Sequence, residues 1–96
     1  MSDESAATRL KRLRLRSMRR GIREMDLLLG AFARDGLERL PQGDLDAYEA
    51  LLDEADVDLL NWITGQAMPP ARHGAIVALL AATARTAAGP GRFESL

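Results

Sequence analysis

Apolar residues return at helical spacing in five successive stretches of the chain. Ala6, Leu10, Leu13 and Ser17 step by three and four, and Arg9, Arg12, Arg16, Arg19 and Arg23 form a second, basic stripe. This predicts an amphipathic first helix over about 5 to 19 with one strongly basic side. Gly21 interrupts the pattern. A glycine in a helix interior is unfavourable by about 1 kcal/mol relative to alanine, so a helix boundary or a close contact is expected there. Ile22, Met25, Leu28, Leu29, Phe32 and Ala33 carry a second helix over about 22 to 35, with Gly36 placed to close it.

Leu45, Tyr48, Leu51 and Leu52 follow the turn-forming Pro41-Gln42-Gly43 and mark a third helix over about 43 to 54, with Asp44 and Asp46 near its positive N-terminus. Asp56 reads as the N-cap of a fourth helix that carries Leu59, Leu60 and Ile63 and stops near Gly65 to Met68. Pro69-Pro70 breaks the chain. Ile76, Val77, Leu79, Leu80 and Thr83 then give a fifth helix ending before Gly89-Pro90-Gly91. No fixed-period repeat occurs, so a compact bundle fits better than a solenoid.

Composition agrees with this pattern. Alanine and aliphatic residues dominate a 47% hydrophobic fraction, aromatics are 4%, and β-branched residues are sparse, which favours helices over strands. The fold class expected is all-α, a compact single-domain bundle of five short helices. At 96 residues the chain supports one hydrophobic core, so one domain is expected over 1–96, its core at about 8–87 and both termini loose. With no cysteine, there is no disulfide or thiolate chemistry. No apolar run approaches the roughly 20 residues that cross a bilayer, and the N-terminus lacks the apolar core of a secretory signal. The Arg-rich stretch from Arg9 to Arg23 imitates a transit peptide, but Asp3 and Glu4 precede it and it runs straight into domain-like sequence. A soluble protein without membrane insertion is expected.

The net charge of −1 conceals a dipolar chain. Residues 1–23 carry eight bases and two acids (+6), residues 24–58 two bases and eleven acids (−9), and residues 59–96 three bases and one acid (+2). Packing the basic first helix near the acidic middle would satisfy this charge internally; otherwise two differently charged faces meet partners.

Chemistry-bearing constellations are few. His73 is the only histidine, has no cysteine to join it as a ligand, and reads as a solvated surface residue. A calcium loop starting at Asp44 would need glycine sixth and glutamate twelfth, where the chain has Glu49 and Ala55; the acids read as a solvated face. Glycine-rich phosphate loops are missing. Trp62 reads as a core or half-buried anchor. The basic stripe lacks base-reading or stacking groups, and the acidic helices would repel a polyanion, so no nucleic-acid partner is expected. Neither catalytic nor metal-binding residues are assigned.

One segment stands out. Arg19-Arg20-Gly21-Ile22-Arg23-Glu24-Met25-Asp26 places a side-chain-free backbone patch amid dense opposite charges at a helix start, where another protein can approach closely. Glu24, three residues after Gly21 and four after Arg20, shares one helical face with the arginine. The plainer reading is a helix boundary held by local ion pairs. Arg20-Gly21-Ile22-Arg23-Glu24 resembles the Arg-Gly-x-x-Glu signature of the succinate dehydrogenase assembly factor family, called SdhE in bacteria. The likeness continues through Met25-Asp26, Leu29, Phe32, Tyr48, Leu51-Leu52 and Asp56-x-Asp58-Leu59-x-x-Trp62, over about residues 9 to 70. Two departures are local: Arg16, Ser17 and Met18 stand where members often carry an aromatic, and Pro41 where a capping Ser or Thr is common.

The resemblance implies a cytoplasmic chaperone, or a mitochondrial matrix one in a eukaryote, that is monomeric when free and is not an enzyme. It implies binding to the flavoprotein subunit of succinate dehydrogenase, and in some members that of fumarate reductase, to promote covalent joining of FAD to a partner histidine. No cofactor of its own is implied, the FAD being attached to the partner. By the same carry-over Arg19, Arg20, Gly21, Arg23, Glu24, Met25 and Asp26 are the partner-binding residues, with Gly21 allowing close approach and Arg20 and Glu24 making polar contacts. Gly21→Arg is accordingly expected to stay folded yet lose function. The competing class is a regulatory protein-binding module of the antitoxin type.

Overall fold

The computed structural model describes residues 4–18 and 20–88, and side chains as far as Ala84. Five α-helices run in chain order: α1 (Ala6–Met18), α2 (Arg23–Asp35), α3 (Gln42–Leu51), α4 (Asp56–Ile63) and α5 (Gly74–Ala88). Single 3₁₀ turns, Leu37–Arg39 and Ala71–His73, precede α3 and α5, and no strand occurs among the described residues. The all-α bundle of five short helices is the architecture the apolar periodicity dictates. The expected loose termini lie mostly outside the described residues.

Local chemistry sets the helix ends. Ser5 Oγ accepts the Thr8 backbone N–H at 3.1 Å, an N-cap for α1 that satisfies one of its unpaired amides. Asp56 departs from expectation: α4 starts at Asp56 itself, Ala55 occupies the cap position, and no side chain caps it. The Asp56 carboxylate has a tertiary partner instead, described below. α3 ends at Leu51, three residues before the expected limit, because Leu52 to Glu54 turn the chain toward α4. Gly36 does stand at the end of α2, but with right-handed torsions. Its glycine requirement is steric: a Cβ there would meet the Phe32 carbonyl oxygen at 2.8 Å and the Phe32 ring at 2.9 Å.

The core draws on every helix. Leu13 of α1, Met25 and Leu29 of α2, Tyr48 and Leu51 of α3 and Leu59 of α4 are all wholly buried, and Ile76, Val77 and Leu80 of α5 close the far side. Each such aliphatic side chain contributes about 2 kcal/mol by leaving water. Phe32 and Tyr48 pack as a tilted aromatic pair with centroids 5.4 Å apart. The Tyr48 hydroxyl lies 2.6 Å from Ser17 Oγ, which donates to the Leu13 carbonyl at 2.7 Å, so both buried hydroxyls are satisfied. Burial pushes the Tyr48 phenol up to about 12, against the opposing pull of the Ser17 hydrogen bond.

Charge pairing settles where the dipolar chain sends its charge. Arg9 reaches Asp46 at 2.6 Å and Glu49 at 2.9 Å, Arg12 reaches Glu4 and Glu49 at 2.8 Å each, and Arg16 reaches Asp53 at 2.8 Å. The basic stripe of α1 is thus neutralised by α3 and its exit loop. His73 corrects the surface reading. It is buried, its ring packs tilted against the half-buried Trp62 at 5.8 Å, and its Nε2 lies 2.7 Å from Glu54 Oε2. An ionised carboxylate only accepts, so Nε2 carries the hydrogen.

Gly36→Ala should destabilise the domain by about 1–3 kcal/mol, since the new methyl is driven against backbone and a buried ring that cannot retreat; urea denaturation checks this. A second expectation concerns acid. Hydrogen bonding from Arg12 and then Arg9 holds the Glu49 carboxyl below its ordinary 4.5, and His73 and then Arg72 do the same for Glu54. A depressed folded-state value means these carboxylates stabilise the fold fully above about pH 4.5, and the stabilisation is lost as pH falls through the lower value. The urea midpoint should therefore hold from pH 7 to 5 and drop below 4.5, with a shallower drop in Glu49→Gln.

Candidate partner-binding site

The Arg-Gly-x-x-Glu segment spans the turn between α1 and α2 (Arg20 to Ile22) and the first two residues of α2, Arg23 and Glu24. Gly21 is exposed with φ +92°, a left-handed conformation that L side chains resist, and Ile22 is extended at φ −117°, ψ 123° as the N-cap of α2. One clamp lies in the backbone: Asp26, in the first turn of α2, accepts the Arg20 backbone N–H at 2.9 Å through Oδ1. This closes the turn, and an acid near the positive helix N-terminus is itself favourable.

The Arg20 side chain turns inward. Its Nε donates to Asp56 Oδ1 at 2.6 Å, Nη1 to the Leu52 carbonyl at 2.8 Å and Nη2 to the Glu54 carbonyl at 3.0 Å. The side chains of Arg20 and Asp56 are only 11% and 17% exposed. A planar fork with fixed donors suits this site, where two of its nitrogens meet carbonyls beyond the α3 C-terminus and one meets a carboxylate.

The seven residues singled out by sequence therefore divide. Gly21, Arg23 and Glu24 are exposed, and neither Arg23 nor Glu24 pairs with another described residue. Arg20 and Asp26 are half-buried and internally bonded, which corrects the expectation that the Arg20 guanidinium is free for a partner. Met25 corrects the list further: it is wholly buried in the core, because it lies on the inner stripe with Leu28, Leu29 and Phe32. Arg19 lies outside the described residues.

Sequence reasoning passed over three apolar neighbours of this turn. Leu15 and Met18 in the last part of α1 and Leu27 in the second turn of α2 are 51%, 53% and 48% exposed. At 1.5 Å of rise per residue they stand within about 6 Å, along the helix axes, of the helix ends that flank Gly21. Their signal was available: all three fall off the apolar stripes of their helices. All three are exposed near Arg23 and Glu24, which have no partner among the described residues.

The fold defines a class: a small all-α domain whose first two helices are joined by an exposed glycine turn. No group of three or more histidine, cysteine or carboxylate side chains among the described residues forms a metal site. Residues 11–84 match the family Sdh5, described as flavinator of succinate dehydrogenase, and the chain belongs to that family. It is 44% identical over 69 residues to the mitochondrial succinate dehydrogenase assembly factor 2 of Schizosaccharomyces pombe, covering 72% of this chain and 50% of that protein. It is 42% identical over 70 residues to the factor of the same name from Mycosarcoma maydis, covering 73% of this chain and 29% of the relative. The chain thus spans half or less of the length of these relatives.

The open surroundings of a Cβ at Gly21 agree with a folded Gly21→Arg chain, but the left-handed backbone adds a strain that sequence alone did not reveal. Gly21→Ala and Gly21→Arg should each destabilise by about 1–2 kcal/mol, and by nearly equal amounts, since the strain is in the backbone and the space beyond is empty. Parallel urea titrations check this equality, and a much larger effect for arginine would show that the turn is packed.

Proposed function

We propose that this chain binds the flavoprotein subunit of succinate dehydrogenase and promotes covalent attachment of FAD to it, acting as an assembly chaperone. Membership of the flavinator family supports the reading, and the observation that carries it is the exposed Gly21 with exposed Arg23 and Glu24 at the start of α2, next to an internally bonded Arg20 and near solvent-facing Leu15, Met18 and Leu27. Such a surface offers a close-approach backbone, a carboxylate with no partner among the described residues, and apolar area to one partner. In this reading the chain supplies no reacting group. It lowers the barrier by favouring the partner conformation in which FAD and the attacking histidine are aligned, so its effect is one of orientation and population. FAD stays with the partner, and fumarate reductase's flavoprotein subunit is a second client of the same chemistry.

The internal pairing of Arg9, Arg12 and Arg16 supports a protein partner over a nucleic acid, because the charges a polyanion would need are already matched. No helix among the described residues is long and apolar enough to cross a membrane. The proposed place of action is the compartment where the flavoprotein subunit matures: the mitochondrial matrix in a eukaryote, as the relatives' names suggest, or the cytoplasm of a bacterium.

The test is capture of purified flavoprotein subunit lacking covalent FAD, followed by protein-bound flavin fluorescence after denaturation. Wild-type chain should bind and raise covalent flavin. Glu24→Ala should keep the melting temperature and weaken capture by about 1–3 kcal/mol, the worth of a charge-assisted hydrogen bond at a desolvated contact. Equal flavin incorporation with and without the chain would end the proposal.

A further inference from the structure

Asp56 lies 36 residues from Arg20, at the start of α4, yet its carboxylate is committed to the Arg20 guanidinium and not to the amides of its own helix. We propose that Asp56 is a positioning residue for partner binding: acting through Arg20, it holds the Gly21 turn in the conformation that presents Arg23 and Glu24. This rests on the reading of that turn as the partner-binding surface.

Arg20 is restrained at both ends, its side chain by Asp56 and the Leu52 and Glu54 carbonyls, its backbone N–H by Asp26. Gly21 follows directly. A glycine samples positive and negative φ about equally, so the turn has one conformation only if its neighbours impose it. The receiving loop is itself anchored, since the Glu54 side chain is held by His73 Nε2 at 2.7 Å and Arg72 Nη2 at 3.0 Å. A continuous polar chain therefore runs from the start of α5 through the α3–α4 loop to the turn. Without its Asp56 member the recognition segment must be ordered at the moment of binding, and that ordering is subtracted from affinity.

The test uses the full chain and the flavoprotein subunit lacking covalent FAD. Asp56→Asn retains an acceptor oxygen but loses the charge. It should shift the Gly21 and Ile22 backbone amide resonances of the free protein, leave the far-ultraviolet circular dichroism helical at the assay temperature, and weaken capture about tenfold. The deciding measurement is a cycle with Glu24→Ala. If Asp56 places Glu24, Glu24→Ala costs about tenfold in the native background and less than threefold in Asp56→Asn. A residue that merely stabilises the fold leaves the Gly21 amides where they were and the Glu24→Ala loss unchanged, and that result overturns the proposal. Should Asp56→Asn fail to fold, Arg20→Lys takes its place, because one ammonium cannot serve three divergent acceptors; unmoved Gly21 amides in that variant overturn the proposal equally. If Glu24→Ala alone leaves capture intact, the partner surface has been misassigned, while the amide shifts of the free protein still decide whether Asp56 governs the turn.

Discussion

The Arg20 guanidinium joins the two halves of this small bundle. On one side is the hairpin of α1 and α2; on the other is the loop from α3 to α4, whose Leu52 and Glu54 carbonyls and Asp56 carboxylate receive three nitrogens of the same side chain. Carbonyls that leave a helix C-terminus have no intrahelical donor, and in a chain this short there is little water-free volume in which to hide them. An arginine reaching across from the α1–α2 turn satisfies them and fixes the turn in the same act. Ion pairs of this kind are costly to desolvate, and their value lies in geometry as much as in stability. Here the geometry produced is a left-handed glycine turn directly after a side chain bonded at both ends.

The remaining charge follows a simpler rule. A +6 first segment and a −9 middle segment would repel themselves if left apart, and the helical spacing of Arg9, Arg12 and Arg16 brings them onto Asp46, Glu49 and Asp53. Individually these partly exposed pairs contribute little to stability, because solvent screens them. Their larger consequence concerns recognition, because they neutralise a basic face, while Arg23 and Glu24 at the start of α2 have no described partner. The surface around Gly21 combines open backbone, the exposed Arg23 and Glu24, and the exposed aliphatic side chains of Leu15, Met18 and Leu27. A chaperone that works by holding a partner's conformation needs such a surface to be ordered before contact, since any disorder is subtracted from binding.

Much of this was legible in the residues themselves. Periodicity located five helices because each buries one stripe against a shared core, and the positions at which Leu13, Leu29, Tyr48, Leu59 and Val77 recur are those that lose their water. The Arg-Gly-x-x-Glu spacing located the turn and indicated the family. His73, Asp56 and Arg20 were misread for one common reason: each is a polar group whose partner is remote in sequence. A lone histidine looks solvated until Glu54 arrives beside it, an aspartate ahead of a helix looks like a cap until a guanidinium claims it, and an arginine in a recognition motif looks free until carbonyls 32 and 34 residues away are found around it.

Apolar burial and backbone conformation follow local patterns closely, so the sequence by itself determined the helices, most of the core, and the glycine at which the first hairpin turns, although Leu79 of the fifth stripe is exposed and Leu37, outside every stripe, is buried. Polar satisfaction is governed by proximity across elements, which no local pattern encodes. Only the tertiary structure decided that Arg20 faces inward, and that Arg23 and Glu24 are left exposed without a described partner. The physical reason is that a charged side chain goes where its desolvation is best compensated, and that place exists only after the helices have packed.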